Sequence, residues 1–113
     1  VPAGLGLGRV ISRPASDRFT LDIGSKAIST DRAGQRGLVL GWEDATPVLQ
    51  SEEHWVWQLP PESEPPPIGT EVLIAPTHIC PTTALHDEVG VVGHDGTIEG
   101  TWPITARKRK LSL

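Results

Sequence analysis

The sequence predicts an all-β domain, a small Greek-key barrel or sandwich, on three observations. Short apolar runs rich in β-branched residues recur along the chain, one of them with a clear period of two. Twelve glycines and eleven prolines, scattered without a repeat, punctuate those runs as turns. No stretch carries a convincing helical periodicity. At 113 residues with 37% hydrophobic content, the chain is long enough for one core, and a single β-domain over residues 1–113 is expected.

The elements follow in order. Leu7 to Ser12 reads as a first strand, closed by Arg13-Pro14. Arg18 to Ile23 alternates Phe19, Leu21 and Ile23 with Arg18, Thr20 and Asp22, so one face is buried, and Gly24 ends it. Gly37 to Trp42 and His54 to Leu59 are near-continuous apolar runs. Around Ser51-Glu52-Glu53-His54 a helix is the competing choice, but Trp55-Val56-Trp57 follows at once and favours a strand. Pro60-Pro61 and Pro65-Pro66-Pro67 bracket an acidic loop expected to be exposed. Glu71 to Ala75 is the next strand. Glu88 to Gly93 and Thr97 to Ile104 flank His94-Asp95-Gly96, and an Asp-Gly step between β-rich runs predicts a hairpin. The four tryptophans, Trp42, Trp55, Trp57 and Trp102, are expected to supply the aromatic core.

Composition narrows the function. A net charge of −4 disfavours nucleic acid, and the basic run Arg107-Lys108-Arg109-Lys110 has no interleaved aromatic residue, so it reads as a solvated tail. No apolar stretch approaches the roughly 20 residues of a membrane helix. Cys80 is the single cysteine, which rules out an internal disulfide and suits a reducing, cytoplasmic compartment. The chain lacks a signal peptide, an initiator methionine and any other methionine, and is read as a fragment of something longer.

Chemistry concentrates in Ala75-Pro76-Thr77-His78-Ile79-Cys80-Pro81-Thr82, after a predicted strand. If this stretch is extended, residues two apart face the same side, so His78 and Cys80 present imidazole and sulfur together. Both are good zinc ligands, and two of them suit a site whose other positions are filled from elsewhere. From spacing alone, a buried cysteine beside a hydrogen-bonded histidine is the commoner meaning of this pattern. His86 beside Asp87, His54 beside Glu52 and Glu53, and His94 in its turn are weaker candidates, each expected to serve a turn or the surface. Lys26 reads as an exposed lysine after a strand rather than a Schiff-base lysine. Neither a nucleophile elbow, a phosphate-binding glycine loop nor a Cys-x-x-Cys pair is present.

Four segments taken together carry a resemblance: Val10-Ile11-Ser12-Arg13-Pro14, Leu21-Asp22-Ile23-Gly24-Ser25-Lys26-Ala27, Ser51-Glu52-Glu53-His54 and Pro76-Thr77-His78-Ile79-Cys80-Pro81-Thr82. In this order, with Trp102-Pro103-Ile104 and Arg107 at the end, they resemble the C-terminal domain of the D-threonine aldolase and D-serine dehydratase family. Trp55 departs from the pattern, since glycine often follows the Glu-Glu-His step there.

The resemblance implies an alanine racemase-like architecture, in which a pyridoxal-phosphate TIM barrel precedes this β-domain and supplies the Schiff-base lysine. The cofactor would then be bound mainly by the missing barrel, no residue of this fragment being assigned a catalytic role, and the isolated chain would be inactive. It implies a divalent metal on His78 and Cys80. Zinc is favoured by the cysteine, with manganese or magnesium as the alternative. It implies a lyase acting on β-hydroxy-D-amino acids, a homodimer when full length. The cysteine points to the dehydratase side, yielding a 2-oxo acid and ammonia from D-serine or 3-hydroxyaspartate; the alternative is a D-threonine aldolase-like carbon–carbon lyase. Three rivals stand beside this reading. One is a non-catalytic β-domain with an interaction role. A racemase is disfavoured by the absence of tyrosine. A self-contained zinc module would need His78, Cys80, His86 and Asp87 to converge.

Overall fold

A computed structural model describes residues 2–112. Two antiparallel sheets are formed. The larger has six strands: β1 (Gly6–Ala15), β2 (Arg18–Leu21), β3 (Gly37–Val39), β4 (Thr46–Gln50), β5 (Trp55–Gln58) and β6 (Glu71–Pro76), in the order β3-β6-β1-β2-β5-β4. The smaller is the hairpin of β7 (Glu88–Val92) and β8 (Ile98–Pro103). A helix of one turn and a half, α1 (Ile79–Thr83), joins the two, and a short 3₁₀ turn, Thr105–Arg107, follows the hairpin.

The all-β expectation holds, and the barrel takes the form of a curled half-barrel. Its curl originates in β1. The first half of that strand, Gly6 to Arg9, pairs with β6, and the second half pairs with β2 through two register shifts, at Val10/Ser12 and Ser12/Ala15. Bulges of this kind bend a strand and raise its twist. Arg36, just before the edge strand β3, reaches the other edge strand β4, its Nη1 donating to Gln50 Oε1 at 3.3 Å.

The concave side is filled by Val10, Phe19, Leu21, Ile23, Ile28, Val39, Trp55, Trp57, Val72 and Ile74. The alternation of Phe19, Leu21 and Ile23 therefore marks the buried face, as expected. Trp55 and Trp57, two residues apart on one strand face, pack with ring centroids 4.6 Å apart and planes tilted by 46°. Trp55, the departure from the family pattern, is a core residue.

Three expectations need correction, and one strand, β4, is an addition to those expected. β4 lies on the sheet edge, with a register shift between Pro47 and Leu49, where the missing N–H of a proline is tolerated. The proline-rich loop is exposed at Glu62 and Glu64, but Pro65 and Pro66 are fully buried. A proline has no N–H to leave unpaired, so this stretch of backbone loses less on burial. Trp102 is not in the core; it lies on β8 and is 67% exposed. Finally, α1 occupies residues read as extended, discussed next.

Candidate functional site

The polypeptide leaves β6 at Pro76, and His78 caps α1 with an extended backbone. Cys80 lies inside the first turn of that helix, so the two-residue period of a strand does not govern this pair. Pro81 and Thr82-Thr83 look like extended-chain residues. The first turn of a helix has no N–H partners to lose, so Pro81 fits there without cost. The His78 side chain is one-third exposed, and Cys80 is an exposed free thiol.

Five hydrogen bonds tie this corner to the loop between β2 and β3. Asp31 Oδ2 meets His78 Nδ1 at 2.5 Å. The Ser29 amide donates to Thr82 Oγ1 at 3.1 Å, and that buried hydroxyl donates on to the His78 carbonyl at 2.8 Å. His86 Nε2 lies 2.9 Å from the Ala27 carbonyl and donates to it. On the other side, Thr77 Oγ1 and Thr77 N bond the carbonyls of Gln35 and Arg36. The Ser29 hydroxyl does most to hold the Asp31 carboxyl below its usual range; burial opposes it, and the His78 ring and then Arg32 add to the lowering.

Near the start of the same loop, Gly24 brings two separate sequence segments of the resemblance into contact. Ser25 N and Lys26 N donate to the carbonyls of Ser51 and Glu52. A Cβ on Gly24 would lie 2.3 Å from the Ser51 carbonyl oxygen, so only glycine allows this approach. Lys26 Nζ is paired with Glu53 at 2.9 Å and Glu52 at 3.2 Å, and these two carboxylates raise its pKa. A protonated amine is a poor Schiff-base nucleophile. The exposed Glu52-Glu53-His54 turn thus anchors a loop whose far end carries Asp31.

The remaining candidates are dispersed. His86 is engaged by Ala27, and Asp87 is paired with Arg107, whose Nε also bonds the Ala84 carbonyl at 2.9 Å. His94 is exposed in the hairpin turn. Among the described residues no three His, Cys, Asp or Glu side chains converge on one point, so the four-ligand zinc module does not form. Asp31 is the residue that sequence reasoning missed. Nothing local marks it, because its partner is 47 positions away. As a donor set, one imidazole with a nitrogen clear of Asp31 and one exposed thiol fit a thiophilic divalent ion with its other positions filled from elsewhere.

A family model described as a putative serine dehydratase domain matches residues 3–92. A D-threonine aldolase of an Arthrobacter species is 37% identical over 101 residues, covering 89% of this chain and 26% of the aldolase. Among solved structures, D-threonine aldolase from Filomicrobium marinum matches with a TM-score of 0.79 and 29% identity, over 91% of this chain and 28% of that one. An alanine racemase-like protein from Idiomarina loihiensis matches with a TM-score of 0.72 and 24% identity, over 86% of this chain and 30% of the other. A D-threo-3-hydroxyaspartate dehydratase, in a metal-free form with one cysteine replaced by alanine, matches with a TM-score of 0.69 and 20% identity, over 87% and 31% of the two chains. The same enzyme was solved with alanine in place of a histidine two residues before that cysteine.

Proposed function

The chain belongs to the putative serine dehydratase domain family, and on that premise we propose that it is the C-terminal β-domain of a pyridoxal-phosphate- and metal-dependent lyase acting on β-hydroxy-D-amino acids. The observation that carries the proposal is the His78-x-Cys80 step at the exit of β6, its imidazole braced by Asp31. That spacing is the one at which a histidine and a cysteine were replaced in the D-threo-3-hydroxyaspartate dehydratase. His78 and Cys80 would hold the metal, zinc by preference, with the remaining positions filled by a preceding TIM barrel. When bound, the ion supplies Lewis acidity toward a β-hydroxyl, and pyridoxal phosphate, held by the barrel, supplies an electron sink. This chain's own share is placement. The Thr82 hydroxyl holds the His78 carbonyl, and loop 22–36 holds α1 against the half-barrel. Lys26, occupied by its two carboxylates, leaves the Schiff base to the barrel. The relatives above are three to four times as long as the region matched, which supports an enzyme whose barrel lies outside this chain.

Cys80 favours the dehydratase reading by ligand softness. The aldolase reading is the second, supported by the 37% identity to a D-threonine aldolase. Assay of the full-length protein on D-serine, D-threonine and D-threo-3-hydroxyaspartate separates them. A 2-oxo acid with ammonia identifies a dehydratase, and glycine with an aldehyde an aldolase. H78A and C80A should each abolish metal-dependent turnover while leaving the cofactor absorbance in place. Full activity in both variants would refute the metal role.

A further inference from the structure

Asp31 stands on the loop between β2 and β3, and both of its carboxylate oxygens are committed. Oδ1 accepts the Ser29 hydroxyl at 2.6 Å, and Oδ2 meets His78 Nδ1 at 2.5 Å. The loop that carries it is fixed at both ends, by Ser29 N on Thr82 Oγ1 and by the Gln35 and Arg36 carbonyls on Thr77. Around His78 itself, the carbonyl is taken by Thr82 and the ring by Asp31. A neutral imidazole carries one donor and one acceptor nitrogen, and an ionised carboxylate only accepts. Opposite Asp31, the donor must be Nδ1. The lone pair is then on Nε2.

We propose that Asp31 is a positioning residue that locks the His78 imidazole in its Nδ1–H form, with Nε2 as the nitrogen offered to the metal. Carboxylates that accept the second N–H of a ligating histidine orient the ring and raise its basicity. The inference rests on the metal role proposed above, but its first readout does not need a metal. The tautomer itself is a property of the chain.

Long-range ¹H–¹⁵N correlation spectra of the ¹⁵N-histidine-labelled chain, taken at about pH 8 where an ordinary histidine is neutral, report that tautomer directly. The H78A variant identifies the signal among the four histidines. The Nδ1–H pattern is expected for His78, lost in D31A and recovered in part by D31E. Cobalt(II) titrated into the intact protein, followed by its visible absorption, should bind about 10–100-fold more weakly in D31A, with D31E again intermediate. An Nε2–H pattern in the unaltered chain would overturn the proposal, as would a cobalt affinity indifferent to D31A. If the unaltered protein takes up no cobalt while His78 still shows Nδ1–H, the metal role falls and the positioning role falls with it, leaving only the hydrogen bond.

Discussion

Trp57 and Trp102 occupy comparable places in two antiparallel pairings, the first opposite Phe19 and Pro47, the second opposite Val89. Trp57 is completely buried and Trp102 is two-thirds exposed. The difference extends to their surroundings. In the half-barrel, six strands curl, and five of them (β1, β2, β3, β5 and β6) close one face over a shared core. In the hairpin, Val92, Ile98 and Trp102 are largely exposed, because two strands alone have nothing to close over. The hairpin is held at its base, by Ile104 N on the Asp87 carbonyl and by the Asp87–Arg107 pair, and at its turn by Asp95 and Gly96. Its projection is visible in the dimensions of the molecule, 56 × 37 × 23 Å, with a radius of gyration of 15.3 Å against about 13 Å for a compact domain of this size. β-prone sequence makes strands in both regions; burial depends on how many strands can share a core.

The sharpest test of this contrast is a pair of truncations. Trp57→Ala should lose about 3–5 kcal/mol in urea denaturation, enough to unfold much of a marginally stable domain. Trp102→Ala should change stability by no more than about 0.5 kcal/mol. Equal losses would mean that the hairpin packs on the core after all. Next in size, Gly24→Ala forces a methyl against the Ser51 carbonyl and should cost about 1–3 kcal/mol by the same measurement. A neutral result would show that the contact between loop 22–36 and the Ser51–His54 turn is loose. Hydrogen exchange should then separate the two sheets: the paired amides of β1, β2 and β5 opening near the global free energy, those of β7 and β8 well below it.

The smallest effect is acid loosening of the hairpin turn. The Thr97 hydroxyl and amide hold the Asp95 carboxyl below its ordinary value. A carboxyl whose folded pKa is depressed stabilises the fold above its unfolded pKa of about 3.9 and loses that contribution as pH falls through the folded value. The Thr97 amide resonance should therefore shift only below about pH 4, and Asp95→Asn should remove that step. A midpoint above the unfolded value would contradict the hydrogen-bonded turn.

Much of the fold was legible locally. The alternation of Phe19, Leu21 and Ile23 marked a buried face, and Asp95-Gly96 marked a hairpin whose Gly96 has the left-handed φ of +80° that such a turn demands. What was not legible had a physical cause in each case. Pro47 hid an edge strand, since local rules weigh the missing N–H without knowing which strands lie at an edge. Pro81 and two threonines hid α1, since a helix this short follows from its anchorage at Thr82 rather than from propensity. His78 and Cys80 stand out by residue type, but their geometry is that of a helix start and not of a strand.

By itself the sequence determined the all-β class, most of the strands, the hairpin turn and the pair of ligand-type side chains, all of which depend on neighbours a few positions apart. Only the tertiary structure decided that loop 22–36 is pinned to the Ser51–His54 turn near its start, to α1 at Ser29 and to Thr77 at its far end, bringing Asp31 to a histidine 47 positions along the chain. Such a contact is set by strand order and by where a bulged β1 turns the sheet, and residue periodicity records neither.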